Sequence, residues 1–426
     1  MNFDVLVIGA GPAGLNAALT ASTHGATVGI VDDNALPGGQ IWRQGPQHPS
    51  TGPARALLDD LAARNNVTLL SGARIVQALS ENTLLAEEEG RALTIAYQKL
   101  VVATGARERF LPFPGWTLPG VTGAGGLQAL IKGGTPVKGE RVVIAGSGPL
   151  LWAAATTARM HGAHVVALVE QAASAQVSRF ARSLLRTPAK LLQAARMHAG
   201  LWATPYLLDA YVVEALGDSR VRQARVRHRG EDRLIACDRI ACAYGLLPNT
   251  GLAAALGCRV GMQAGVDAIE VDQWQATSVP NVFAVGECTG VGGMELSAVE
   301  GRIGALAAIG ENERARALFA ERARYQRFAQ HMHAAFELNT RLRTLAAPDT
   351  LFCRCEDVSY RDMAQHTSWR DAKLHTRCGM GPCQGKICGA AAAFCFGWEG
   401  SGAQMLRPPF SPTRIETLLQ VEAAIE

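Results

Sequence analysis

The sequence lacks the features that would place it in several large classes of protein. No apolar run reaches the about 18 residues that a membrane-spanning helix needs, so we expect no spanning segment. Its 41 basic and 37 acidic residues form no run of like charges, which argues against nucleic acid as the main partner. With 48% hydrophobic and only 18% charged residues, the chain does not have the composition of a disordered protein. A globular protein of two or three domains remains.

Several catalytic motifs are missing as well. The chain contains no His-Glu-x-x-His and no Gly-x-Ser-x-Gly, and no Cys-x-x-Cys occurs in its first 350 residues. Its ten histidines are dispersed along the sequence. The side chains alone therefore present no recognisable catalytic motif, which agrees with chemistry carried by bound cofactors.

The first 32 residues contain a dinucleotide-binding fingerprint. An apolar run, a glycine-rich turn, an alanine-rich stretch and a second apolar run follow one another, as in a strand, a tight turn, a helix and a strand. The glycines would allow the tight turn, the approach of a pyrophosphate and close packing of the helix on the strand. Asp32 ends the second strand, where a carboxylate can bind a ribose. The predicted loop residues are Gly9, Gly11, Pro12, Ala13 and Gly14.

Three further segments accompany this fingerprint in order: "GGQIW" at 38–42, "KLVVATGA" at 99–106 and "TSVPNVFAVGECTG" at 277–290. Together they resemble the flavoproteins with two dinucleotide-binding domains. The resemblance implies that the first loop holds FAD and that Glu287, where Asp is usual, lies on the ribityl chain. The helix expected after Glu287 would point its amides at the flavin pyrimidine. The resemblance adds six candidate FAD-binding residues: Gly39, Gln40, Thr104, Gly105, Gly286 and Glu287.

A second, incomplete fingerprint occupies residues 140–170. Gly146 and Gly148 are present, but Leu151 stands at the position of the third glycine. A leucine there pushes the helix away from the strand or requires a small neighbour. If a nucleotide binds, Glu170 favours NAD over NADP, because a carboxylate accepts hydrogen bonds from a free ribose. The sequence leaves open whether this loop holds NAD, another nucleotide or none.

Six of the ten cysteines lie between positions 353 and 395. In a reducing compartment such a density indicates a metal rather than disulfides. Four thiolates, on Cys-x-Cys and Cys-x4-Cys, can bind zinc or a two-iron cluster. Neither pair has the Cys-x2-Cys spacing typical of zinc knuckles, although zinc and free thiols remain alternatives. The predicted ligands are Cys353, Cys355, Cys378 and Cys383.

The segment "CRCEDVS…RCGMGPCQGKIC" resembles the ferredoxin-like [2Fe-2S] module of the bacterioferritin-associated type, over about the last 80 residues. The resemblance implies a [2Fe-2S] cluster on the four predicted thiolates. Amides beside Gly379 and Gly381 could donate hydrogen bonds to cluster sulfurs. Cys388 and Cys395 lie seven residues apart on one helical face, so we expect them to pack in a core, with Cys388 as a reserve ligand.

Over its whole length the chain resembles the α (A) subunits of heteromeric flavin-dependent amine dehydrogenases, a group that includes D-hydroxyproline dehydrogenase, opine oxidases, hydrogen cyanide synthase and archaeal-type proline dehydrogenases. The resemblance implies that an amino or imino acid is oxidised at a second FAD on a partner β subunit, while this chain relays electrons. A small ferredoxin-like subunit is a further candidate partner. Two alternatives are a self-sufficient NADH-dependent reductase, which Leu151 disfavours, and a structural nucleotide-binding subunit without turnover.

The predicted fold is α/β, with two Rossmann-like dinucleotide-binding domains of the FAD/NAD-linked reductase type and a small C-terminal iron–sulfur α+β module. Because a buried strand is expected after four residues, we expect no cleavable signal and a cytoplasmic location. The predicted boundaries are 1–113 with 265–310 for the FAD domain, 114–264 for the second domain, 311–345 for a helical connector and 346–426 for the module.

Overall fold

The computed structural model of the protein describes residues 1–46, 48–398 and 406–425. Numbered along the chain, its strands β1 to β21 are Asn2–Ile8, Val28–Asp32, Val67–Ser71, Ala73–Ser80, Thr83–Glu88, Arg91–Val102, Ala106–Glu108, Val121–Gly123, Arg141–Gly146, His164–Glu170, Tyr206–Leu208, Ala210–Leu216, Gln223–His228, Glu231–Ala236, Arg239–Ala243, Leu246–Pro248, Val260–Gln263, Val266–Ile269, Val282–Ala284, Leu351–Cys353 and Val358–Ser359. Its helices α1 to α14 are Pro12–Thr23, Gly52–Ala62, Ala124–Lys132, Leu150–Met160, Ser174–Ser183, Pro188–Gly200, Gly251–Ala255, Met294–Ala308, Asn312–Ala317, Phe319–Ala335, Tyr360–Ala364, Trp369–Thr376, Cys388–Phe396 and Ile415–Ile425.

The chain forms two compact units, and neither is continuous in sequence. Unit 1 contains residues 1–107, 247–329 and the described residues from 406 onward. Unit 2 contains residues 108–246 and the described residues that follow 329 up to 398. This division is coarser than the four predicted segments, so the predicted domain boundaries stay a prediction.

Unit 1 is built on a seven-stranded sheet in the order β3-β2-β1-β6-β5-β4, with β19 also paired to β6. Strands β1, β2, β3, β6 and β19 are parallel, whereas β4 and β5 continue the sheet as an antiparallel meander. Strand β1 is apolar along most of its length because both of its faces are covered. Helices α1 and α8 pack against each other. The carboxyl ends of β1 and β2 meet near the start of α1, because the two strands pair in parallel and Asp32 at the end of β2 accepts a hydrogen bond from the Ala10 amide.

Unit 2 repeats this plan on a smaller scale. Its five parallel strands follow the order β11-β10-β9-β15-β8. Helices α3 and α4 pack on this sheet through a core that contains Leu127, Ile144 and Leu151. The antiparallel strands β12, β13 and β14 form a separate three-stranded sheet. The two sheets confirm the predicted α/β class with two dinucleotide-binding folds.

The cysteine-rich segment of unit 2 folds around its own small core. Strands β20 and β21 pair antiparallel, and helices α11, α12 and α13 surround Phe352, Met363 and Cys378. Helix α13 begins at Cys388. Residues 383–387 form turns. These turns bring Cys383 close to Cys355, and Cys388 close to Cys353 at the end of β20.

The C-terminal segment returns to unit 1. The Thr417 hydroxyl donates a hydrogen bond of 2.6 Å to the Glu87 carboxylate, and the Phe410 amide donates one of 2.6 Å to the Val76 carbonyl. Residues 406–425 therefore lie on the meander of unit 1, although the sequence analysis grouped them with the cysteine module. Among the described residues, no helix combines the length and the apolar character needed to cross a membrane.

Candidate functional site

The first glycine loop has backbone contacts that only glycine permits. Gly9 has a φ of 108°, and a Cβ built on it would lie 2.3 Å from the Ala103 carbonyl oxygen. A Cβ on Gly14 would lie 1.8 Å from the Gly9 carbonyl oxygen. Helix α1 can therefore start directly against the end of β1, with Gly11 at its N-cap and Pro12 in its first turn. A helix start in this position is where a dinucleotide-binding fold holds a pyrophosphate.

Asp32 organises this loop. One carboxylate oxygen accepts a hydrogen bond of 2.5 Å from the Ala10 amide, and the other accepts bonds of 2.8 Å from the backbone and the side chain of Asn34. Only 6% of the residue is exposed. Asp32 therefore links the end of β2 to the glycine turn, and its predicted contact with a ribose stays a prediction.

The predicted "GGQ" segment lies beside the glycine turn. A Cβ on Gly39 would lie 2.9 Å from the Gly11 Cα atom, and the Gly38 amide donates a hydrogen bond of 2.7 Å to the Ala10 carbonyl. The Gln40 side chain is exposed, and its amide oxygen accepts a bond from Arg43. Two segments that are well separated in sequence thus meet at one place.

The remaining predicted residues come from the ends of β6 and β19. The Thr104 hydroxyl donates a 2.8 Å bond to the Asn249 carbonyl, and the Asn249 amide group returns a 2.9 Å bond to the Thr104 carbonyl. Gly105 follows with a φ of 66°. A Cβ on Gly286 would lie 2.6 Å from the Ala13 Cβ atom. The structure therefore brings Gly286 against the first loop.

Glu287 and the unpredicted Glu300 form a pair of acids behind this site. Burial raises the pKa of Glu287, against the effect of a hydrogen bond from the Gly293 amide. Glu300, on α8, accepts a 3.2 Å bond from the Gly286 amide, and burial raises its pKa to about 8. The sequence gives no distinct signal for this role, because α8 contains Glu295 as well as Glu300 and no pattern links Glu300 to Gly286. Through its bond to the Gly286 amide, Glu300 holds in place the turn that contains Glu287.

In the second glycine loop, the acidic side chain at the end of the strand bonds to the backbone of the loop. Glu170 is fully buried, and its carboxylate accepts bonds of 2.7 Å from the Gly148 amide and 2.9 Å from the Ala172 amide. Burial raises the pKa of Glu170 to about 7. Leu151 is also fully buried and packs in the core between α3, α4 and the sheet. The Glu170 carboxylate therefore stabilises the conformation of its own loop.

Five of the cysteines in the C-terminal segment come together. The sulfur atoms of Cys353, Cys378 and Cys388 all lie within 4.8 Å of one another. The sulfurs of Cys355 and Cys383 are 3.9 Å apart. Hydrogen bonds from the thiols of Cys378 and Cys388 lower the pKa of Cys353. The structure thus gathers all four predicted ligands and adds Cys388, which was expected to pack in a core and to be only a reserve ligand.

Glycines allow this close approach of the two cysteine segments. A Cβ on Gly381 would lie 2.4 Å from the Cys355 Cβ atom. Gly379, with a φ of 82°, leaves no room for a side chain beside the Trp369 ring, where a Cβ would be 2.7 Å from a ring carbon. Both glycines of "RCGMGPC" are therefore required by the packing of the loop on Cys355 and α12.

A cavity of about 340 Å³ opens beside the thiols. Its walls are mainly apolar, and they include Phe110, Trp116 and Phe352. Glu108 supplies a half-buried carboxylate, which accepts bonds of 2.6 and 2.9 Å from two amides at the start of α3 and whose pKa is raised by desolvation. Four cysteines line the cavity: Cys353, Cys355, Cys383 and Cys388. A soft, four-thiolate donor set of this kind fits either a [2Fe-2S] cluster or zinc.

A model of the pyridine nucleotide-disulphide oxidoreductases matches residues 3–308, which include both glycine loops. The chain belongs to this family. It is therefore an FAD-dependent oxidoreductase. Among individual relatives, it is 31% identical to the HcnB subunit of hydrogen cyanide synthase from Pseudomonas aeruginosa over 424 residues, covering 91% of each chain. It is 30% identical to an opine oxidase subunit of Rhizobium meliloti, covering 98% of this chain and 88% of that relative. These matches confirm the subunit group that the sequence resembles.

Solved structures agree with the architecture. L-proline dehydrogenase from P. horikoshii matches with a TM-score of 0.66 at 16% identity, over 98% of this chain and 79% of its own. Thioredoxin reductase from T. acidophilum matches with a TM-score of 0.55 at 23% identity, over 73% of this chain and 99% of its own. Two dinucleotide-binding folds are thus common to all three proteins.

Proposed function

We propose that this chain is the electron-transfer subunit of a heteromeric dehydrogenase or oxidase that acts on an amino or imino acid. The observation that carries the proposal is the group of five thiols in a chain whose fold belongs to an FAD-dependent family. A one-electron centre in the same chain as a flavin domain suits a subunit that passes electrons between proteins. Relatives named as subunits of hydrogen cyanide synthase and opine oxidase support the assembly with a partner.

The FAD site would be formed by the first glycine loop and the segments that meet it. The amides at the start of α1 would bind the pyrophosphate, and Glu287 would bind the ribityl chain. Glu300 would keep the Gly286 turn in place through its bond to the Gly286 amide. The proposed binding residues are Gly9, Gly11, Pro12, Ala13, Gly14, Asp32, Gly39, Gln40, Thr104, Gly105, Gly286 and Glu287.

The metal site would be formed by four of the five thiols. We propose Cys353, Cys355, Cys378 and Cys383 as the ligands. Cys388 is the alternative to Cys378, because the sulfurs of Cys353, Cys378 and Cys388 all lie within 4.8 Å of one another. When bound, FAD exchanges two electrons with a donor and a [2Fe-2S] cluster exchanges one at a time. Cys388 would then pack against the ligands.

The ligand assignment is tested by metal analysis of serine variants purified without oxygen. Cys378→Ser should lose most of the about two irons and two sulfides per chain that the wild type holds. Cys388→Ser should keep them. Cys395→Ser is the matched control, because Cys395 lies seven residues further along α13 than Cys388 and should also keep the iron. Retention in Cys378→Ser with loss in Cys388→Ser would make Cys388 the fourth ligand, and equimolar zinc in the wild type would replace the cluster by zinc.

The partner and the substrate are tested by anaerobic mixing. Proline, D-hydroxyproline or an opine should bleach the flavin of this chain only when the β subunit is present. Cys383→Ser should interrupt transfer between the subunits while the β subunit is still reduced. Rapid bleaching of the isolated chain by one of these substrates would refute the relay. Bleaching by NADH alone would favour a self-sufficient reductase, and no bleaching under any condition would favour a structural role.

A further inference from the structure

The second glycine loop is covered by a segment of its own unit. Residues 336–339, which we call the closing segment, follow α10 and precede the 3-10 helix Thr340–Thr344. The Ser147 hydroxyl donates a hydrogen bond of 2.9 Å to the Phe336 carbonyl. Ser147 lies between the two glycines of the fingerprint, so the closing segment is bonded to the centre of the loop.

The Phe336 ring occupies the space in front of the second glycine. A Cβ built on Gly148 would lie 3.5 Å from the ring and 3.7 Å from the Phe336 Cβ atom. Gly148 is the position at which a dinucleotide fold lets a pyrophosphate approach the backbone. At the equivalent Gly11 of the first loop, the nearest atom to such a Cβ is the Gly39 Cα atom at 3.9 Å. A side chain thus stands in the second loop where the first loop has none.

Gln171 joins the loop to the closing segment from the other side. Its amide group donates bonds of 3.0 Å to the Ser147 hydroxyl oxygen and 3.1 Å to the Glu337 carbonyl. Its amide oxygen accepts a 3.0 Å bond from the Asn339 backbone. Gln171 is 2% exposed, so these bonds are shielded from water. It directly follows Glu170, the acid at the end of the second strand.

Two further contacts keep the closing segment in place. The Phe180 ring meets the Phe336 ring edge to face, with centroids 5.1 Å apart. Arg341 forms an ion pair with Asp209 and lies over the Tyr211 ring. Every group named is in unit 2. The segment is therefore held at its first residue and just beyond its last one.

We propose that the closing segment occupies the pyrophosphate position of the second loop and thereby excludes pyridine nucleotides as electron donors. A dinucleotide would have to displace the Phe336 ring and break the bonds of Ser147 and Gln171. The chain keeps the fold of a nicotinamide domain but fills its loop with its own residues. This inference goes beyond the relay function, since it holds whichever substrate the partner oxidises.

The experiment is a fluorescence titration of the full-length, FAD-loaded chain with NADH up to about 1 mM. The wild type should show no saturable binding. The double variant Phe336→Gly/Gln171→Ala removes the ring and the bridging amide, and it should bind NADH saturably, with a Kd of about 0.1 mM or less, which is at least tenfold below the highest concentration at which the wild type fails to bind. Phe319→Ala, which alters a phenylalanine of unit 1, is the control and should behave as the wild type. Saturable binding of about one NADH per wild-type chain would overturn the proposal.

A second measurement does not depend on the double variant folding. Hydrogen exchange of the wild-type chain should show slow exchange at the Asn339 amide, because it donates to the buried Gln171 side chain. Gln171→Ala should speed that exchange by at least tenfold. Fast exchange in the wild type would also overturn the proposal. Neither result alters partner-dependent flavin reduction, so failure here is distinguishable from failure of the relay.

Discussion

The two glycine loops of this chain share a sequence pattern but differ in what lies against them. In the first loop, Gly14 lets α1 touch the Gly9 carbonyl, and the space in front of Gly11 is open except for Gly39. In the second, Leu151 fills the core and Phe336 covers Gly148. A Rossmann-like fold can therefore persist after its binding surface has become an internal contact. Fold alone does not report which loop binds a nucleotide.

The largest expected effect comes from a single methyl group in the first loop. Gly14→Ala should abolish FAD retention, because its Cβ would lie 1.8 Å from the Gly9 carbonyl oxygen and must push α1 away. Gly126→Ala is a matched control on α3, since its Cβ would meet nothing closer than 3.8 Å. Flavin absorbance per purified chain measures both. Full flavin content in Gly14→Ala would contradict the proposed site.

The next effect concerns the residue that replaces the third glycine in the second loop. Leu151→Ala should lower the free energy of unfolding by about 2–5 kcal/mol, because a fully buried leucine leaves a cavity. Leu150→Ala, at a half-buried neighbour, should cost clearly less. Denaturant unfolding followed by circular dichroism gives both values. Equal small losses in the two variants would show that the packing of Leu151 does not account for the difference between the two glycine loops.

The pH dependence of the free energy of unfolding tests the protonation of Glu170, the buried acid of the second loop. Burial raises the pKa of Glu170 from 4.5 to about 7, so the folded chain holds a proton that the unfolded chain releases between these values. Stability should therefore fall as the pH rises through this window, by on the order of 1–3 kcal/mol. Glu170→Gln should flatten that slope, whereas Glu231→Gln, at an exposed position, should leave it unchanged. An identical slope in wild type and Glu170→Gln would exclude Glu170 as its source.

The smallest expected effect is the loss of one serine hydroxyl. Ser147→Ala gives the second loop the residue that the first loop has at Ala10, and it should lower the free energy of unfolding by about 1–2 kcal/mol. The bonds lost are the one to the Phe336 carbonyl and the one from the Gln171 amide group. Thermal unfolding should show a small drop in midpoint temperature. A change of several kcal/mol would mean that the closing segment detaches as a whole.

Local sequence patterns predicted much of this architecture. The glycine spacing, the apolar runs and the alanine-rich helix predicted the first loop, because strand, turn and helix there are neighbours in sequence. The cysteine pairs predicted a metal site for the same reason. The FAD residues and ligands themselves stay predictions, since the observed geometry is compatible with them and does not test them.

Contacts over long sequence distances could not be predicted. The pairing of Phe336 with Gly148 joins residues that are 188 positions apart, and no periodicity connects them. Cys388 looked like a core residue because it shares a helical face with Cys395. Only the turns at 383–387 bring its sulfur to Cys353. Glu300 was overlooked because its role depends on Gly286, in a different element.

The return of the C-terminal segment to unit 1 has a consequence for biosynthesis. The bond from Thr417 to Glu87 spans 330 positions, so the meander cannot receive this contact until residue 417 has been made. At about 5–20 residues per second on the ribosome, the edge of the sheet stays uncovered for tens of seconds. A deletion of residues 410–417 would therefore weaken a sheet that was synthesised long before them.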